Sequence, residues 1–130
     1  MQNKRINIPP IALIGTLATT LINSFITTLT GCAPAGLMTQ PYILIRHIRI
    51  VNTTGGALAV SLFHGAAAAA AAGTEFAFSA VSVPANSYVD WYGELRLDGG
   101  NGTTTATCLC GGSTTTGLSM IVDNAEIGFS

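Results

Sequence analysis

The pattern of apolar and polar side chains predicts strands most clearly in three stretches of this chain. Tyr42 to Asn52 reads Tyr-Ile-Leu-Ile-Arg-His-Ile-Arg-Ile-Val-Asn and predicts the strongest strand. Tyr88 to Leu97 places Trp91, Leu95 and Leu97 on one face, with Asp90, Tyr92, Glu94 and Arg96 on the other. Leu118 to Phe129 alternates in two halves of opposite parity. Leu118, Met120 and Val122 share one face, and Ala125, Ile127 and Phe129 fit it only if one residue is inserted near Asp123-Asn124. A β-bulge or a tight turn there would reconcile them. Shorter strands are expected at Ala57 to Phe63 (Leu58, Val60 and Leu62 on one face), at Phe76 to Val83 and at Thr103 to Leu109.

Turn chemistry punctuates these runs. Ala33-Pro34-Ala35-Gly36 precedes the first long strand, Thr54-Gly55-Gly56 follows it as a hairpin-type turn, and Pro84-Ala85-Asn86 and Asp98 to Gly102 follow later ones. The seven alanines Ala66 to Ala72 favour helix, but a helix that short is unstable alone, so a loop is expected, with one helical turn at most. Short strands at regular spacing with Gly-rich turns indicate an all-β protein, a single β-sandwich or jelly-roll-like domain over 11–130. Residues 1–10, with Pro9 and Pro10 and no periodicity, read as an extended N-terminal arm.

The segment Ile11 to Leu29 is ambiguous. Leu13, Leu17, Leu21, Phe25 and Leu29 recur at helical spacing, whereas its density of Thr and Ile favours strand, which suits the rest of the chain. Leu29-Thr30-Gly31-Cys32 is similar to a bacterial lipoprotein cleavage box. Against that, Pro9 and Pro10 separate Lys4 and Arg5 from the apolar run, and seven Thr, Ser or Asn residues interrupt it. A membrane span would need about 20 predominantly apolar residues, so no membrane partner is expected.

Composition narrows the function. Apolar residues make up 48% of the 130 residues and charged ones only 8%, against about 25% in ordinary soluble domains. A surface of Thr, Ser, Gly and Ala points to an assembly subunit that faces other protein. The five basic residues, Lys4, Arg5, Arg46, Arg49 and Arg96, are scattered, and the net charge is −1. Nucleic-acid binding needs clustered cations, so it is excluded as the main role. Arg46 and Arg49 lie three apart, so in a flat strand they face opposite ways. Either a bulge occurs, or one of them is buried against a carboxylate or an interface, or both are solvated edge charges.

Catalytic chemistry has little to start from. Cys32, Cys108 and Cys110 are an odd set, and Cys108-Leu109-Cys110 is not a CxxC pair. In a strand both sulfurs of that pair share a face, and buried thiols are the expectation. A disulfide between protomers is the alternative. His47 and His64 show no metal-ligand spacing to the cysteines. His64 precedes a strand-end glycine, and His47 stands in sequence beside Arg46 and Arg49, where like charge would disfavour its cationic form. Asp90, Glu94 and Arg96 on one strand face suggest a surface ion-pair row. GxSxG, P-loop and HExxH motifs are absent. No enzyme activity, metal or cofactor is expected.

Three segments carry a resemblance. Ile43-Leu44-Ile45-Arg46-His47-Ile48-Arg49-Ile50-Val51-Asn52-Thr53, Val83-Pro84-Ala85-Asn86-Ser87 leading into Asp90-Trp91-Tyr92-Gly93, and Ala125-Glu126-Ile127-Gly128 resemble, in order, segments of small tailed-phage structural proteins. The resemblance spans Pro34 to Phe129 and implies a β-sandwich virion component, often a capsid decoration or cement protein. The alanine run and Thr103 to Thr107 depart from that pattern, which leaves the attachment surface open. Its implied partners are the major capsid protein or other virion subunits, with a homo-oligomer, a trimer favoured, in a virion assembled in the host cytoplasm. Lys4, Arg5, Pro9 and Pro10 would be the arm's partner-binding residues, and Arg46 and Arg49 interface charges. Alternatives are a neck, tail or baseplate accessory subunit, or a lipoprotein-like surface protein anchored at Cys32.

Overall fold

The computed structural model describes residues 4–13, 20–23, 41–65, 70–98, 107–113 and 115–129. Nine strands account for most of them: β1 Lys4–Ile6, β2 Ile11–Leu13, β3 Thr20–Asn23, β4 Pro41–Asn52, β5 Leu58–Gly65, β6 Val81–Val83, β7 Ser87–Asp98, β8 Cys108–Ser113 and β9 Leu118–Phe129. No helix occurs among the described residues. The protein is all-β, with two antiparallel sheets.

Sheet A has the order β1-β9-β4-β7, with β2 also on β9; sheet B has the order β3-β8-β5-β6. The pairing is nested. The N-terminal β1 and β2 lie on the C-terminal β9, β3 on β8, β4 on β7 and β5 on β6. The β4·β9 and β5·β8 ladders then complete each sheet. One apolar core draws on both sheets, consistent with a β-sandwich. Ile43, Ile45, Ile48 and Ile50 of β4, Leu95 and Leu97 of β7, and Met120 of β9 meet Val60 and Leu62 of β5, Val83 of β6 and Leu109 of β8. Burying each such side chain contributes about 1.5–3 kcal/mol relative to leaving it exposed.

The three long alternating stretches form strands where their pattern places them. Leu95 and Leu97 are buried, and the half-buried Trp91 packs against the same core, so all three face inward. The parity change in β9 is real: Val122 and Ala125 are both buried, Asp123 and Asn124 between them are exposed, and Asn124 sits at φ 58°. Asn tolerates this left-handed backbone better than most residues.

Several expectations change. The Thr54-Gly55-Gly56 turn is not a hairpin, because β4 and β5 belong to different sheets. Asn52 anchors the crossing instead. It is buried; its Nδ2 donates to Gly56 O at 2.8 Å and Val83 O at 3.0 Å, and its Oδ1 accepts from the Thr54 N–H and hydroxyl. The strand expected over Phe76 to Val83 is confined to β6. Residues 74–78 do bond to β5, through His64 N to Thr74 O, Phe76 N to Leu62 O and Leu62 N to Phe78 O. Positive φ at Ala77 and Ala80 breaks the ladder between the two parts. The eighth strand, Cys108–Ser113, runs through Gly111 and Gly112, beyond the end expected at Leu109. Residues 103–106 lie outside the described part, as do Cys32, 24–40 and 66–69. Within the expected arm, Lys4–Ile6 pairs with β9 of its own chain and Ile8 packs against the core, so part of it belongs to the sheet.

Candidate functional site

Charge is divided unequally between the layers. The chain has eleven charged residues, five basic and six acidic. Ten of them lie in strands of sheet A: Lys4, Arg5, Arg46, Arg49, Asp90, Glu94, Arg96, Asp98, Asp123 and Glu126. The strands of sheet B contain none. The large apolar side chains exposed among the described residues are Tyr88 at 52%, Tyr92 at 70% and Ile121 at 37%, all on sheet A. Its outward face is therefore the surface that bears recognisable chemistry.

Strand register assembles this face. Across β7, β4 and β9 run three rungs: Tyr92, His47 and Asp123; Asp90, Arg49 and Ile121; Tyr88, Val51 and Ser119. The ladder between β4 and β7 shifts between Ile45 and His47. Because Ile45 and Ile48 are both fully buried, Arg46 and His47 are the two residues left between them on the outer side. That irregularity answers the spacing of the arginines: Arg46 and Arg49 share one face, each with a carboxylate. Arg46 Nη1 lies 3.1 Å from Glu126 Oε2, and Arg49 Nε donates to Asp90 Oδ1 at 2.8 Å with Nη2 to Oδ2 at 3.2 Å.

Asp90 is the hub. Besides the fork from Arg49, its Oδ1 is 2.8 Å from His47 Nε2. The hydrogen bond from Arg49, then the one with His47, hold the Asp90 carboxyl below the usual carboxylate range. The same Asp90 contact raises Arg49. The electrostatic surroundings of His47 differ from those its neighbours in sequence suggested. It stands between two carboxylates, with Asp123 Oδ2 3.8 Å from Nδ1, and stacks flat on Tyr92 at 4.4 Å with a 1° interplanar angle. The Arg49 guanidinium covers one face of Tyr88 at 4.1 Å, and Arg96 covers Tyr42 at 4.0 Å. The expected ion-pair row along β7 thus runs across strands for Asp90. The result is a pair of exposed tyrosines, Tyr88 under the Arg49 guanidinium and Tyr92 stacked on His47.

Sheet B offers a different environment. Cys108 and Cys110 are buried and packed with Phe63 and Ala70. Burial, then the proximity of Cys110, pushes the Cys108 thiol up. His64 Nε2 contacts Arg96 O at 3.2 Å. Among the described residues no group of three or more His, Cys, Asp or Glu could hold a metal ion. No helix among them is long and apolar enough to cross a membrane.

Of the residues expected to bind partners, Arg5 is exposed and donates to Asn124 Oδ1 at 3.3 Å, Pro9 and Pro10 are exposed, and Lys4 lies in β1. Tyr88, Tyr92, Asp90 and His47 were not singled out together from sequence. Their signal, polar residues at alternate positions of two strands, becomes a cluster only once register is known. Compared with protein-family models, curated proteins and solved structures, the chain matches none.

Proposed function

We propose that this protein is a non-enzymatic structural subunit of a tailed-phage virion, a capsid decoration or cement protein that binds the assembled head. The observation that carries the reading is the charge division: a layer whose strands hold no charged residue, in a chain only 8% charged, suits a subunit that faces other protein. Counting β1 and β2 as two parts of one strand, the nested pairing supports a jelly-roll reading, an architecture that recurs in capsid domains and also elsewhere. The resemblance of the β4, β6–β7 and β9 segments to small tailed-phage proteins adds the virion context. A protein that binds only the closed shell stabilises it by mass action, and repeated weak contacts over the lattice add up. On this reading the partners are the major capsid protein and further copies of the chain, a trimer being favoured.

Quantitative gel analysis of purified particles tests the reading. Copy numbers comparable to the major capsid protein are expected. A few copies per particle would move the protein to the neck, tail or baseplate, and its absence from particles would overturn the virion assignment.

A further inference from the structure

A second feature of sheet A is independent of where the subunit sits. The N-terminal segment lies on β9 in two pieces, β1 against Ala125–Ile127 and β2 against Leu118–Met120. Between them run Asn7 to Pro10, whose two prolines have no N–H to donate to a ladder. Opposite that interruption is the irregular part of β9, with Asn124 in the left-handed region. Register is continuous across the break, with Ile6 opposite Ala125 and Ile11 opposite Met120, and at the break a hollow of about 400 Å³ is lined by Arg5, Asn7, Val122, Asp123 and Asn124.

The lining limits what can occupy it. Arg5 and Asp123 carry opposite charges, so an anion meets a carboxylate and a cation meets a guanidinium. An apolar occupant would desolvate two ions and two amides without replacing their hydrogen bonds. What remains is a neutral ligand rich in hydroxyls. Amide, guanidinium and carboxylate groups are planar and present donors or acceptors in pairs, which matches adjacent hydroxyls on a sugar ring. Arg5 already donates to Asn124 Oδ1, which leaves the Asn124 NH₂ as its donor group. Asp123 joins the hollow to the aromatic rung, since it faces His47 and His47 stacks on Tyr92. From Asp123 on β9 to Tyr92 on β7 is two strand spacings, about 9–10 Å. That length exceeds one sugar ring. The Tyr92 ring, 70% exposed and backed by His47, offers a negative π face to the C–H groups of a second ring.

We propose that the hollow between β1, β2 and β9, together with the Tyr92 ring, is a binding site for a neutral oligosaccharide. Hydroxyls of one residue bind Asn7, Asp123, Asn124 and Arg5, and a following residue lies on Tyr92.

The test is a two-dimensional amide NMR titration of the full chain with maltotetraose, cellotetraose and chitotetraose, and with inorganic phosphate as the anionic probe. At least one saccharide should give saturable shifts at Asn7, Asp123, Asn124 and Tyr92, with Kd about 1 mM or tighter. Asn124→Gly keeps the left-handed backbone while deleting the amide, and with Asn7→Ala and Tyr92→Ala it should weaken binding by about tenfold or more. Tyr88→Ala, beyond the Arg49–Asp90 pair, should bind as the parent does. Well-dispersed spectra establish that each variant is folded. The proposal is overturned by the lack of saturable shifts with every saccharide up to about 10 mM, by phosphate binding in the hollow more tightly than the saccharides, or by unchanged binding in folded Asn7→Ala and Asn124→Gly.

Discussion

β7 of sheet A and β8 of sheet B are both strands of antiparallel sheets, yet they solve opposite problems. β7 separates its faces: Leu95 and Leu97 go inward, while Tyr88, Tyr92 and Arg96 stay exposed. β8 is buried along its whole length, and its sequence, Cys-Leu-Cys-Gly-Gly-Ser, uses small residues where both sides are occupied. A strand with one wet face can carry charge and present chemistry. A strand covered on both faces can carry only side chains that fit, and it offers space as its means of specificity. The protein places its charge and exposed aromatics on the first kind of strand and its tightest packing on the second.

The sharpest way to break this contrast is to add one methyl group to each layer. At Gly111 of β8 a Cβ would stand 2.2 Å from the Ser61 carbonyl oxygen, on a backbone at φ 151°. Backbone in the middle of a ladder cannot yield, so Gly111→Ala should cost about 3 kcal/mol or more and leave little folded protein by circular dichroism at 37 °C. At Gly93 of β7 the clash is with the Trp91 ring at 2.6 Å, a half-buried side chain rather than backbone. Gly93→Ala should therefore cost only about 1–2 kcal/mol in urea unfolding. Equal losses would show that the two layers are equally unyielding.

A truncation gives an intermediate effect. Trp91 packs on the core and meets Phe76 edge to face at 5.1 Å, but it is only half-buried. Trp91→Ala should cost about 3 kcal/mol, the low end for a large aromatic. An unchanged melting temperature would mean that the inner face of β7 contributes little to the core.

The smallest effect separates the layers by pH. Asp90 in sheet A has a depressed folded pKa, because Arg49 and His47 bond its carboxylate. Its contribution is present above the unfolded pKa and is lost as pH falls through the folded one, on the acid side. Cys108 in sheet B has a raised folded pKa from burial. Its contribution is present below the unfolded pKa and is lost as pH rises towards the folded value, on the alkaline side. Asp90→Asn should flatten only the acid limb of the stability profile, and Cys108→Ala only the alkaline limb. Both limbs changing in either variant would show that the layers are electrostatically coupled.

What could be read from the chain follows the same division. β4, β7 and β9 were legible because one wet face imposes a pattern of apolar and polar positions, and the parity change at Asp123-Asn124 marked the left-handed backbone at Asn124, although β4 and β9 pair through it without the inserted residue that was expected. β8 was not legible: Gly111 and Gly112 carry the signature of a turn, and only the nearness of the Ser61 backbone explains why glycine is needed inside a strand. Phe76 and Phe78 alternate like strand residues, but Ala77 and Ala80 adopt positive φ without a glycine to announce it. The Arg49–Asp90–His47 cluster joins residues about 40 positions apart. The candidate saccharide hollow brings Arg5 and Asn7 together with Val122 to Asn124 from the far end of the sequence. Local pattern encodes faces and bulges; it does not encode which strands become neighbours.

The nested pairing also governs when the molecule can be made whole. Lys4 is opposite Ile127 and Ile11 opposite Met120, so β1 and β2 are made well before the strand they pair with. Synthesis proceeds at about 5–20 residues per second, and long-range pairing is slow to nucleate. The apolar segments from Ile8 to Leu13 therefore wait for their partner until β9 has been made. A ribosome stalled before β9 emerges would hold a chain with sheet A open, and a chaperone that shields early apolar strands would find its substrate there.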